Sequence, residues 1–268
     1  MKLRIKITKD AGIRFISHLE YVRTIERAIR RAKLPVAYSE GFNPHMKFSL
    51  ASALGVGVTS EAEFVEIELA EEIDLPSTMI KLAVNLPTGI RILAADLADT
   101  KADKLMAQAG GADYKVVVPC REDCNWQAAV DRFNEAESVL FQKPIPKGRG
   151  MTKEIEVKSF IDHLEAERAG DNLQLTFSCK ITPTGSMKAA ELLLVLRDSF
   201  ELPLLVEKAD ILRTDLYAVD KDGKKMPLLK PEYIDCLAEL MESGESHAEN
   251  NHYQCDAGRN AHGTDRRR

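Results

Sequence analysis

The segment from Ser17 to Pro35 admits few structures other than a single amphipathic helix, and that helix decides how its neighbours are used. Ser17-His18-Leu19-Glu20 has the form of a capping box. In it the serine hydroxyl accepts from the Glu20 amide, and the Glu20 carboxylate turns back to the Ser17 amide. Ile16 and Tyr21 stand at the positions of a hydrophobic staple. Pro35 biases Leu34 out of the helical region, so the helix ends near Lys33. At about 100° per residue, Leu19, Val22, Ile25, Ala28, Ile29 and Ala32 share one arc. Arg23, Arg27, Arg30 and Arg31 share the arc next to it. One face packs, and the other carries four guanidiniums.

This helix sits in a basic segment. Residues 1–50 hold eleven Lys/Arg against four Asp/Glu, a net +7 in a chain whose total is −5, so the remaining 218 residues carry −12. A cationic patch on an acidic body points to a local anion-binding face. After the helix, Val36-Ala37-Tyr38 reads as a short strand and Gly41-Phe42-Asn43-Pro44-His45-Met46-Lys47 as a loop. Gly41 permits a left-handed turn, and Asn43 and His45 offer exposed hydrogen-bonding groups. The candidate anion or nucleic-acid contacts are Arg14, Arg23, Arg27, Arg30, Arg31, Asn43, His45 and Lys47. The basic glycine loop of Lys147 and Arg149 adds to them, because backbone amides there can approach a phosphate. The competing account is a scaffold in which the arginines pair with acids of the fold or of a partner.

The order of elements gives an α+β reading. Leu3, Ile5 and Ile7 alternate with Lys2, Arg4 and Lys6, a half-buried strand with a basic face. Phe48–Ala53 reads as a strand. Phe64, Val65, Ile67 and Leu69 interleave with Glu63, Glu66 and Glu68, a strand with an acidic face. A helix over 76–86 and a strand at 90–93 complete β-α-β-β-α-β, the ferredoxin-like order. Residues 97–111 read as helix and linker, ending at Gly110-Gly111. The order then repeats: a strand at 114–118, a helix over 125–139, and strand candidates at 140–141, 155–161 and 173–179. A helix over 189–196 and a strand over 211–219 follow. The expectation is two ferredoxin-like halves with antiparallel sheets, over 1–98 and 112–220, and a disordered tail over 242–268.

No standard catalytic or cofactor motif emerges. A P-loop, a dinucleotide fingerprint, a nucleophile elbow and a zincin helix are all absent from the sequence. Cys120 and Cys124 form C-x3-C, but a radical-SAM cluster motif needs a further cysteine where this chain has Gln127. The tail's His247, His252, Cys255 and His262 match no zinc spacing. No metal or cofactor is therefore expected. Weak catalytic candidates are His18 and His45, as a general acid/base pair, and Asp215. No apolar run approaches the roughly 20 residues that span a bilayer. The N-terminus is strand-like, and five scattered cysteines imply no disulfide framework. A cytoplasmic protein is expected.

The block RFISHLEYVRTIERAIRRAKLPVAYSEGFNPHMKFSLASALGVGVTSEAEFVEIEL resembles the opening of the radical-SAM-linked proteins that contain the DUF2344 domain. Segments 185–196 and 211–217 resemble that family's closing helix and strand, although Lys188-Ala189 stands where the family has Arg-Pro. The resemblance implies a protein encoded beside, or fused to, a radical-SAM protein, which is then the expected partner. The helix and loop are more loosely similar to ferredoxin-like RNA-binding proteins of CRISPR processing. Arg213-Thr214-Asp215 is similar to the catalytic strand of pseudouridine synthases. The function expected is a non-catalytic RNA- or substrate-recognition module, with an RNA-processing or RNA-modifying enzyme and a plain scaffold as the alternatives.

Overall fold

The charged alternation at the start of the chain forms a strand, β1 (Lys2–Lys9), but its basic face is buried. A second strand, β3 (Val58–Glu68), runs antiparallel beside it, with Arg4 opposite Glu66 and Lys2 opposite Glu68. The basic face of one strand meets the acidic face of the other, so charges that alternate toward solvent in sequence pair across the ladder. Arg4 bonds Glu66 at 2.9 Å, and Lys2 lies 3.8 Å from the same carboxylate. Both cations also donate to carbonyls of the segment after the first half, at Ala102 and Asp103, which covers the pairs. The expected half-buried strand is thus almost wholly enclosed.

The structure, a computed structural model, describes residues 1–121, 124–145, 150–183 and 185–229. The expected tail and the Lys147/Arg149 loop lie outside these residues. The first stretch runs β1, α1 (His18–Arg31), β2 (Phe48–Leu50), β3, α2 (Leu75–Ala83) and β4 (Ile92–Ala98). Its strands lie in the order β4-β1-β3-β2, each antiparallel to its neighbour. The second stretch opens with one turn of helix, α3 (Leu105–Gln108), and β5 (Ala109–Pro119). Then come α4 (Trp126–Glu135), β6 (Leu140–Pro144), β7 (Thr152–Glu156), β8 (Leu164–Ala169) and β9 (Asn172–Thr182). The short β10 (Gly185–Ser186), α5 (Ala189–Ser199), β11 (Asp210–Val219) and β12 (Lys225–Pro227) complete it. Here the order is β11-β5-β9-β8, again antiparallel throughout.

Among the described residues these strands make one ten-stranded sheet, joined where β11 pairs with β3 in parallel over only three residues, Ile211–Arg213 against Val58–Ser60. Strands form where they were expected, at 140–141 and from 155, but as β6 and β7 of a separate hairpin that does not enter the sheet. One apolar core lies beneath α1 and α2, and a larger one beneath α4 and α5 that reaches Ala62, Phe64 and Leu105.

Local chemistry explains most boundaries. Ser17 Oγ accepts from the Glu20 amide at 3.2 Å, as a capping box requires, but the Glu20 carboxylate turns to Arg23 instead of back to Ser17. α1 stops before Pro35 acts. Lys33 takes φ +52° and donates to Arg30 O, while Leu34 donates to Ile29 O, a Schellman closure at a position that glycine usually holds. Tyr21, Ile25, Ala28 and Ile29 are buried, while Leu19 lies out in solvent at the edge of the apolar arc. Tyr21 is buried in its place, with its hydroxyl on Thr8 O at 2.7 Å.

Residues 97–111 hold one helical turn and the start of a strand, not a linker. Gly110 and Gly111 belong to β5 because β11 crosses them closely. A methyl group at Gly111 would lie 2.5 Å from the Tyr217 ring, and one at Gly110 would lie 2.9 Å from Val219. Glycine is needed there for close approach, not for flexibility.

Candidate functional site

The seam between β3 and β11 concentrates buried charge. β11 is irregular between Arg213 and Asp215, and that bulge breaks the strict alternation expected of the strand. Arg213 turns inward and is 3% exposed; Asp215 is left half-buried, with Lys6 at 3.8 Å. The Arg213 guanidinium bonds Glu63 at 2.9 Å, the Tyr114 hydroxyl at 3.1 and 3.2 Å, and Ala53 O at 3.2 Å. Burial alone would weaken its hold on a proton, but Glu63 and Tyr114 outweigh that and keep it charged. Burial also pushes the Tyr114 phenol up from its ordinary range. Beside this group Lys9 is 1% exposed and donates to the carbonyls of Arg14, Ile16 and Gly55. Burial lowers the Lys9 pKa, Glu63 opposes that, and Arg213 adds to it.

Above the seam lies an open cleft of about 610 Å³. Tyr114 and Arg213 form part of its lining, the 53–58 turn a second part, and the starts of α1 and α5 the rest, with His18 on one side and Ser186 and Lys188 on the other. The His18 Nδ1 atom is buried and has no hydrogen-bond partner.

The α1 arginines lie outside this cleft on an exposed face. Arg23 pairs with Glu20 at 2.8 Å and Arg30 with Glu26 at 2.7 Å, both within the helix. Among the described residues Arg27 reaches only the Thr24 hydroxyl, and Arg31 only the Asn85 carbonyl. Arg14 stands apart from this row, bonded to Asp210 at 2.9 Å and stacked on Phe15. Asn43 and His45 are exposed, and so is Phe42, on a hairpin held by the Tyr38–Met46 bridge. Lys47 pairs with Glu68 at 3.5 Å.

The structure does not bring His18 and His45 together. Lys47, two residues from His45, sits at the Glu68 end of β3, whereas the cleft that His18 lines is at the Val58 end. Ten strand residues separate them, on the order of 30 Å. Asp215 is likewise not among the residues lining the cleft.

Three features were not anticipated from sequence. One is the cleft itself. The second is a polar knot in which Asp113 accepts from Ser178 at 2.6 Å and from Lys225 at 2.7 Å, with Lys225 over the Tyr217 ring. The third is the approach of Cys120 and Cys124, sulfur to sulfur 3.2 Å, with no third ligand-type group gathered there among the described residues. A Cys–Cys pair four apart was visible in the sequence, but not that the two thiols come together.

Fold and site together define a mixed α+β protein built on one large, mostly antiparallel sheet, with a cleft at its seam and a cationic helix beside it. The chain belongs to the family described as uncharacterized protein conserved in bacteria (DUF2344), whose model matches residues 2–190. No curated protein matches the sequence. Among solved structures, similar chains occur in a Cbf5-Nop10-Gar1 complex, at 11% identity and TM-score 0.47, covering 80% of this chain and 48% of that one. Another is in an archaeal box H/ACA sRNP Nop10-Cbf5 complex, at 12% identity and TM-score 0.44, covering 92% and 55%. A third is an unknown protein from Galdieria sulphuraria, at 12% identity and TM-score 0.22, covering 79% and 97%. This chain spans about half the length of the first two. No helix among the described residues is long and apolar enough to cross a membrane.

Two outcomes check the electrostatics of the site. Arg213→Met strands the Glu63 carboxylate in the seam, and denaturant unfolding is expected to show a loss of about 3–5 kcal/mol, most of it recovered when Glu63→Leu is added. Burial pushes the Cys120 and Cys179 thiols up to about 11. At pH 8 about one in a thousand of each is thiolate, so peptide mapping after brief alkylation of native protein is expected to find both largely unmodified.

Proposed function

We propose that this chain is a non-catalytic recognition module for RNA that works with a separate radical-SAM protein. The observation that carries it is the exposed face of α1, where Arg27 and Arg31 have no carboxylate partner among the described residues. Arg23 and Arg30 are held only by exposed pairs within the helix, each worth about 0.3–0.5 kcal/mol, which a phosphate readily displaces. The scaffold alternative needs all four arginines paired with acids, and among the described residues Arg27 and Arg31 are not. Exposed Phe42 and Tyr38 on the following hairpin supply rings on which unpaired bases stack. The radical-SAM partner rests on the family resemblance of the N-terminal block, and a cytoplasmic location on the strand-like N-terminus.

We also read the two stretches as ferredoxin-like halves over 1–98 and 112–220, related by duplication. The support is that each shows the strand order 4-1-3-2 within β-α-β-β-α-β, the second interrupted by the β6–β7 hairpin. An RNA-modifying enzyme is the second reading, favoured by His18, whose unpartnered ring nitrogen sits in the cleft wall. That reading requires turnover by the chain that is lost in His18→Ala.

Fluorescence anisotropy with single-stranded RNA over a salt series tests the main proposal. Affinity is expected to fall as salt rises. Arg27→Glu with Arg31→Glu is expected to weaken binding at least tenfold and to reduce the slope of log K against log salt by about 1.4, two lost phosphate contacts. Absence of binding at low ionic strength, or binding indifferent to both charge reversals, contradicts it.

A further inference from the structure

We propose that Cys120 and Cys124 form a reversible thiol–disulfide pair, in which Cys124 meets a small disulfide from solution and Cys120 closes the bond between the two. The site belongs to the ends of β5 and α4, not to the arginine row of α1, and stands or falls separately from it.

The first observation is the distance between the sulfurs. At 3.2 Å they are in direct contact. A disulfide draws two sulfurs to about 2.05 Å, whereas a tetrahedral zinc ion holds two thiolates about 3.8 Å apart. The pair is too close to share a metal as it stands, and no third ligand-type group is gathered there among the described residues. The two thiols also differ in access. Cys120 is 4% exposed and held by its backbone: its amide donates to Asp171 O at 2.9 Å, and it bridges Leu204. Cys124 is half-buried and lines an open cleft of about 470 Å³ with Arg132, Phe200 and Leu202. A small disulfide reaches Cys124 through that cleft, while Cys120 stays covered.

The second observation is Arg168. Its guanidinium donates through Nη2 to Cys120 O at 3.1 Å and through Nε to Gly170 O at 2.7 Å. Its Nη1 is buried and has no hydrogen-bond partner among the described residues. The same guanidinium acts on the Cys120 thiol, where it favours the thiolate. An open N–H there lacks the anion that a Cys120 thiolate would supply. Burial raises the Cys120 pKa most, the neighbouring Cys124 thiol raises it further, and Arg168 opposes both. Conversion of Cys124 to a mixed disulfide removes its contribution and leaves burial opposed by Arg168. Attack at Cys124 thus readies Cys120 for the second step.

The co-reactant is a small disulfide, RSSR, and no other is needed. The Cys124 thiol gives up its proton, its sulfur attacks RSSR, the S–S bond breaks, and one RSH leaves with that proton. The Cys120 thiolate then attacks the Cys124 sulfur, the mixed disulfide breaks, and a second RSH leaves with the proton from Cys120. Two thiols lose two electrons, and one RSSR is reduced to two RSH. Small thiols drive the same steps backward. The closed bond ties Cys120, just past β5, to Cys124, one residue before the Asn125 cap of α4. A pair of this kind stays open among reducing thiols and closes as disulfides accumulate.

Trypsin cuts between the two cysteines, after Arg121, so a closed bond joins peptides 116–121 and 122–132. The test incubates the full chain with glutathione disulfide near pH 8, blocks remaining thiols with N-ethylmaleimide, and maps the digest by mass spectrometry. The joined peptides are expected as the main product, and dithiothreitol is expected to separate them. In Cys120→Ser, Cys124 is expected to retain glutathione. In Cys124→Ser, Cys120 is expected to remain a free thiol. Arg168→Met is expected to move the pH at which closure accelerates upward and to slow closure about threefold, the net of tenfold less thiolate and a more nucleophilic sulfur for each unit by which the pKa rises. Arg168→Lys is expected to recover most of that rate. A rate and pH profile unchanged in Arg168→Met overturns the role given to Arg168. No joined peptides, glutathione on Cys120 in Cys124→Ser, or closure no faster in the native than in the urea-unfolded chain overturns the proposal.

Discussion

The Arg213–Glu63 pair is the interaction on which the rest depends. β11 and β3 share only three residues of parallel ladder, too short a contact to join two sets of strands by backbone bonds alone. The guanidinium spans the seam: Glu63 belongs to β3, Tyr114 to β5, and Ala53 to the turn that rims the cleft. Two charges taken out of water rarely add much net stability, but each makes the loss of the other costly. The pair therefore acts as a register lock. Glu63 is satisfied only when β11 lies in this alignment, which places the starts of α1 and α5 on either side of one cleft.

A second consequence follows from the way charge is distributed. The first fifty residues look strongly basic in sequence, yet much of that charge is spent inside the fold. Lys2, Arg4 and Lys9 are nearly inaccessible, matched by Glu66 and by carbonyls. What remains exposed is narrower, chiefly the outer face of α1. The exposed cationic surface is consequently a local one, on a body whose remaining residues are acidic.

What could be read in advance was whatever short-range chemistry decides. The serine cap, the apolar and arginine arcs of α1, and the alternation of β1, β3 and β9 are set by neighbours within a few residues. The missed parts were decided at long range. β8, Leu-Glu-Ala-Glu-Arg-Ala, is built of strong helix formers and becomes a strand only because β9 offers it an edge. Gly110-Gly111 resembles a linker until Tyr217 is laid across it. The buried fate of Arg4 and Glu66 depends on which strands become neighbours, and the inward turn of Arg213 on a bulge that no local pattern announces. The cleft joins residues as far apart in the chain as His18 and Arg213, so its residues carry no joint signature in sequence.

The central proposal is that RNA meets this protein along the arginine face of α1. Ultraviolet cross-linking of bound RNA, followed by mass-spectrometric mapping of the attached peptides, tests it most directly. The account predicts adducts in the segment from Phe15 to Lys47. Adducts confined to α4 or to the β6–β7 hairpin, with that segment unmodified, would contradict it.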